Sequence, residues 1–161
     1  MMARSPLMYG GNLPIQDNYT LNLIANPVAL MVNEHSQSLR VAYQGDCRCT
    51  LKGKQHGHAC KPINDPSSTL GACVATWWST IGAKCRAVAF LNVGAKAASS
   101  QVGFATLGLS ADANYTVTKV FENTAQTESG SASISATVPG TSGIMFVVSP
   151  EDTPAIQCTS L

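Results

Sequence analysis

Residues 131–138 read Ser-Ala-Ser-Ile-Ser-Ala-Thr-Val, a strict alternation of hydroxyl and apolar side chains. Successive side chains on a strand point to opposite faces, so this period puts Ser131, Ser133, Ser135 and Thr137 in water and Ala132, Ile134, Ala136 and Val138 on a core. A helical turn would scatter the same residues around its circumference. A half-buried strand needs partners, and the chain supplies further strand-sized runs at residues 39–44, 73–79, 84–93, 101–106, 115–122 and 143–149. Short strands separated by turn signals predict an antiparallel sandwich. The run Ile144-Met145-Phe146-Val147-Val148 does not alternate, which predicts a central strand covered on both faces. Residues 124–130 are mostly polar and read as a turn.

The first 36 residues follow a different pattern. Residues 4–9 form a short apolar strand ending at the Gly10-Gly11 turn. Asp17 is placed to cap a helix whose apolar face is Tyr19, Leu21, Leu23 and Ile24. Asn26-Pro27 then opens a second short helix, with Pro27 at its first position and His35 closing it. The chain thus reads as two regions, a β/α unit over 1–36 and a β-sandwich over 37–161.

Composition removes several function classes. With a net charge of +1 and 12% charged residues, the 161-residue chain has no basic field for nucleic acid or for a lipid surface. No apolar run reaches the length that spans a bilayer. Pro6, Gly10, Gly11 and Asn12 interrupt the place where the apolar core of a signal peptide would lie. Five of the six cysteines, Cys47, Cys49, Cys60, Cys73 and Cys85, fall in one segment, and Cys158 stands apart. An even, high cysteine count predicts disulfides and an oxidising compartment. The sequons at Asn18 and Asn114 are candidate glycosylation sites that point the same way. At least one disulfide is expected among the five clustered cysteines. Cys47 and Cys49 are too close in sequence to pair with each other without strain.

The stretch Ala3-Arg4-Ser5-Pro6-Leu7-Met8-Tyr9-Gly10-Gly11-Asn12-Leu13 resembles the last barrel strand of family 27 glycoside hydrolases, the α-galactosidase and α-N-acetylgalactosaminidase group, which typically read A-K-S-P-L-M-F-G-G-D-L there. The resemblance continues through Leu21-Asn22-Leu23-Ile24-Ala25-Asn26-Pro27 and Val32-Asn33. Further on, Trp77 or Trp78 followed by Val88-Ala89-Phe90-Leu91-Asn92-Val93 is similar to a strand of that family's C-terminal sandwich. Asn12, where many relatives have aspartate, and the Cys/His loop at 47–60 depart from the pattern.

The resemblance implies a mainly β chain: an antiparallel β-sandwich preceded by a remnant of the last strand and helix of a TIM barrel. It implies a secreted, lysosomal or extracellular glycoprotein. Family members are retaining hydrolases with two catalytic aspartates carried on barrel strands upstream of this segment. Retaining chemistry needs two carboxyl groups about 5 Å apart, and in a barrel these come from several strands. None of Asp17, Glu34, Asp46, Asp65, Asp112, Glu122, Glu128, Glu151 and Asp152 has a matching context. No catalytic residue is therefore assigned, and the rest of the barrel is expected to lie outside this chain.

Two other chemistries have candidates. Cys47, Cys49, His56, His58 and Cys60 lie in one short loop and could hold zinc, although their spacing is tighter than in common zinc sites; a disulfide-stapled loop is the alternative, with no cofactor. Trp77 and Trp78 must face opposite ways on a strand. One belongs in the core, and the other is free to stack on a sugar or pack on a neighbouring domain. Three functions follow: a non-catalytic piece of an α-galactosidase-like hydrolase, a carbohydrate-binding or protein-interaction sandwich, or a Cys/His metal-binding β-domain. Under the first, residues 1–36 contact another protein chain or a second copy, and galactosides are met only through that partner.

Overall fold

The computed structural model describes residues 17–44, 74–122 and 124–160. The strand expected over residues 4–9 lies outside them.

Two short helices open the described chain, α1 (Asn18–Ala25) and α2 (Pro27–His35). The Asp17 carboxylate caps α1 by accepting the Thr20 N–H at 2.7 Å. Asn26 ends α1 and caps α2, and Pro27 occupies the first turn, where its missing N–H costs nothing. Eight strands follow: β1 (Ser36–Gln44), β2 (Val74–Ile81), β3 (Cys85–Asn92), β4 (Ala98–Gly103), β5 (Asn114–Lys119), β6 (Thr124–Ser129), β7 (Ser133–Val138) and β8 (Ser142–Pro150). A 3-10 turn at Phe104–Leu107 and a 3-10 helix at Ala155–Ser160 complete the described elements.

The strands form an open antiparallel sandwich. One sheet has six strands in the order β1-β2-β3-β8-β5-β6, and the other has only β4-β7. Between them lies an apolar layer that includes Trp78, Val88, Phe90, Phe104, Tyr115, Ile134 and Phe146. A second layer lies on the outer face of the large sheet. There Val28, Ala29, Met31 and Val32 of α2 meet Ile81, Cys85, Ala87, Met145, Val147 and Cys158.

This two-sided burial accounts for β8. Met145 and Val147 enter the helix-side layer, while Phe146 and Val148 enter the inter-sheet layer. The unalternated apolar run is a central strand between β3 and β5, as its sequence predicted. On β7, Ile134 and Val138 are buried while Ser133, Ser135 and Thr137 are exposed, as the alternation required.

Besides β1 starting and β5 ending three residues earlier than expected, two elements differ from expectation. Residues 124–129 form strand β6 rather than a turn. Its backbone pairs with β5 over Lys119↔Thr124 to Asn114↔Ser129, but its side chains are nearly all exposed. An edge strand held by backbone bonds alone leaves no apolar pattern to read. The strand expected at 101–106 runs instead from Ala98 to Gly103. After Gly103 the chain tightens into the 3-10 turn, which carries Phe104 and Leu107 into the core, and Gly108 at φ 68° ends it in the left-handed region.

Candidate functional site

One built polar feature among the described residues is the junction between the helices and the sandwich. Asn26 is 2% exposed. Its Oδ1 accepts the Ala29 N–H at 3.0 Å, and its Nδ2 donates to the Val120 carbonyl at 3.0 Å, 94 residues away in sequence. One turn earlier on the same helical face, Asn22 Nδ2 donates to the next carbonyl, that of Phe121, at 3.3 Å. Two amides spaced i, i+4 thus clamp α1 and α2 to the turn after β5. The capping residue of α2 is therefore also the bolt that holds both helices on the sheet.

A disulfide locks the same layer. Cys85, at the start of β3, is bonded to Cys158 in the last 3-10 helix, with Cα atoms 5.8 Å apart and 73 residues between them in sequence. Cys85 is one of the five expected candidates, but its partner is the cysteine that stands apart from the cluster. Cys47, Cys49, Cys60 and Cys73 lie outside the described residues, as do His56 and His58. Among the described residues, no three His, Cys, Asp or Glu side chains gather as a metal would require.

The tryptophans divide between the two faces of β2. Trp78 is 8% exposed and belongs to the inter-sheet layer. The guanidinium carbons of Arg40 and Arg86 lie 5.5 and 6.0 Å from its ring centre. Trp77 is half-buried and packs on the helix-side layer. Arg86 is fixed by donating Nε to the Leu107 carbonyl at 2.8 Å and Nη1 to the Cys85 carbonyl at 2.8 Å. It thereby ties the 3-10 turn to β3. Burial lowers its pKa from the usual arginine value by disfavouring the charged form.

The described carboxylates lie at the surface, and Asp46 and Asp65 are outside the described residues. Asp17, Glu34, Asp112, Glu122, Glu151 and Asp152 are exposed, and Glu128 is half-buried. Glu122 is paired with Lys119, and Glu151 accepts the Asn114 amide at 3.0 Å. Asn18 and Asn114, the two sequon residues, are both exposed. A further buried amide was not singled out in the sequence. Asn92, 2% exposed, donates to the carbonyls of Lys96, Val138 and Pro139 and accepts the Gly94 N–H at 2.9 Å, so it holds two connections together. Its place in the Leu91-Asn92-Val93 motif, a polar residue closing an apolar strand, was the available signal.

Residues 71–148 match the alpha galactosidase C-terminal beta sandwich domain. Over those residues the chain carries this C-terminal sandwich domain. The solved structures it resembles share this fold. A family 27 β-L-arabinopyranosidase from Geobacillus stearothermophilus superposes with a TM-score of 0.69 at 19% identity, over 95% of this chain and 28% of its own. The α-galactosidase of Saccharomyces cerevisiae, solved with raffinose, gives 0.64 at 12% identity, over 93% of this chain and 41% of its own. The α-galactosidase I of Mortierella vinacea gives 0.64 at 14% identity, over 90% of this chain and 32% of its own. The chain therefore spans well under half the length of these structures. No curated protein sequence matches the chain. Among the described residues, no helix is long and apolar enough to cross a membrane.

Proposed function

We propose that this chain is the non-catalytic C-terminal portion of an α-galactosidase-like hydrolase, a structural piece that packs through its helical side on a barrel or partner chain. The observation that carries this reading is the set of exposed apolar side chains on α1 and α2. Tyr19 is 73% exposed, Leu30 40% and Leu21 38%, on helices that Asn22 and Asn26 tie to the sandwich. Rigidly held helices that leave apolar side chains bare fit a surface meant to be covered. Within this reading residues 1–36 are the terminal β/α unit of a barrel-like domain, and 37–161 are the sandwich. The Cys85–Cys158 disulfide and the two exposed sequons support a secretory route.

The carbohydrate-binding alternative gains little support. Trp78 has its ring beside two guanidiniums and is nearly buried, and Trp77 is committed to the helix-side layer.

Sedimentation of the full chain tests the proposal, alone and with the variant Tyr19→Glu/Leu30→Glu. Concentration-dependent self-association, lost in the variant while the fold is kept, is the expected result. It should come with no turnover of an aryl α-galactoside by the chain alone. A strict monomer at high concentration, or hydrolysis by the pure chain, overturns it.

A further inference from the structure

The two sheets are unequal, and the inequality leaves one strand edge beside an open cleft. In the small sheet β4 contacts β2, and β7 contacts β3 and β8. The large sheet continues beyond β8 to β5 and β6. The result is a cleft of about 270 Å³ between β6 and β7, with Val117, Ile144 and Phe146 as apolar lining and Gln126, Ser135 and Thr137 at its sides.

The ladder phase of β7 fixes which backbone groups face this cleft. The Phe104 N–H bonds to the Ala132 carbonyl at 3.2 Å, and Gly103 stands opposite Ser133. Bonded pairs in an antiparallel ladder recur every second residue. Ile134, Ala136 and Val138 therefore bond to β4, and the N–H and C=O groups of Ser133, Ser135 and Thr137 point away from it. Among the described residues no strand pairs with this edge.

The two outer edges of the large sheet are guarded, and the outer edge of β4 in the small sheet is on the side away from the β6–β7 cleft. β1 has two register shifts, a positive φ of 52° at Ser38, and Arg40. β6 carries Glu128. β7 carries no charge, no proline and no bulge, and it keeps an unbroken register over all six of its pairs with β4. Folded proteins normally blunt such an edge.

We propose that the free edge of β7 is a docking site for an extended, uncharged peptide segment of another polypeptide, which adds as a third strand to the small sheet. Donors and acceptors repeating at the strand spacing are matched by another strand and by little else. The charge of the cleft also selects the occupant: Lys119, its cation, is already paired with Glu122, so no free charge invites an ionic ligand. The apolar lining favours a segment whose alternate side chains are apolar and enter the cleft. This proposal is independent of the packing proposed for the helical side.

The probe is a fluorescein-labelled Thr-Val-Thr-Val-Thr-Val peptide, titrated into the full chain, with a copy N-methylated at alternate residues as control. Ser135→Pro removes an outward N–H without touching the β4 ladder, and Ser135→Lys places a charge on the edge. The wild-type chain should bind the peptide, with new amide-exchange protection at Ser133, Ser135 and Thr137. Binding should weaken about ten-fold or more with the methylated peptide, as loss of roughly two ladder bonds requires, and should weaken measurably in either variant. Ser135 is exposed, so Ser135→Lys keeps the test decisive if the proline variant misfolds. Absence of binding, binding unchanged by Ser135→Lys, or protection falling on β6 or β1 instead overturns the proposal.

Discussion

Asn26 is the residue whose replacement tests the helix–sandwich junction most directly. Asn26→Ala removes the side-chain cap of α2, worth about 0.5–2 kcal/mol. It also leaves the Val120 carbonyl without its Asn26 donor in a buried site, which costs about 1–3 kcal/mol. The two losses share one side chain, so a combined destabilisation of about 2–4 kcal/mol is expected rather than the sum of the extremes. For a chain of this size that corresponds to a fall in Tm of about 5–15 °C. Asn26→Asp separates the two roles. Its carboxylate still accepts the Ala29 N–H but turns an oxygen toward the Val120 carbonyl, and it buries a charge. Burial and the facing carbonyl raise the folded-state pKa of this aspartate above its unfolded value. The folded state then holds the proton more tightly, so the variant loses stability as pH rises and regains it as pH falls, when the protonated acid donates to Val120. Urea unfolding followed by tryptophan fluorescence is the assay, since Trp77 packs in the layer that α2 covers. A loss below about 0.5 kcal/mol in Asn26→Ala, within the ordinary scatter of surface changes, would refute the junction. So would an Asn26→Asp variant whose stability relative to wild type does not change with pH.

Replacing both Cys85 and Cys158 with alanine should destabilise the chain by about 4 kcal/mol, the loop-closure entropy of a bridge this distant in sequence, measured by unfolding without reductant. Non-reducing peptide mapping should recover residues 85 and 158 in one linked peptide, and a Cys85 linked elsewhere would contradict the packing of the last 3-10 helix. The Asp17 carboxyl is held below its usual pKa by the backbone N–H of Thr20 and then by the Thr20 side chain. Its cap on α1 should therefore be fully present above the unfolded pKa and fade as pH falls through the lower folded value, an acid transition in the Thr20 amide shift that Asp17→Ala abolishes.

The sequence determined those features whose cause is local or periodic. Asp17 and Asn26-Pro27 mark both helix starts because a cap bonds within three residues of itself. The alternation at 133–138 and the unbroken apolar run at 144–148 declare one buried face and two, because burial acts on side chains in the order the strand presents them. The resemblance in Asn92 and Asn26 was visible, but the work these amides do was not. Their partners at Val138 and Val120 lie 46 and 94 residues away. Tertiary structure alone decided which tryptophan of an adjacent pair enters the sandwich, since alternation says that they part and not which face is deeper. It decided that Cys85 joins Cys158 rather than a cysteine nearer in sequence, because folding the last 3-10 helix onto β3 sets that distance. It also made residues 124–129 a strand. An edge strand is held by backbone hydrogen bonds, which every residue but proline can donate, so its side chains carry no record of the pairing.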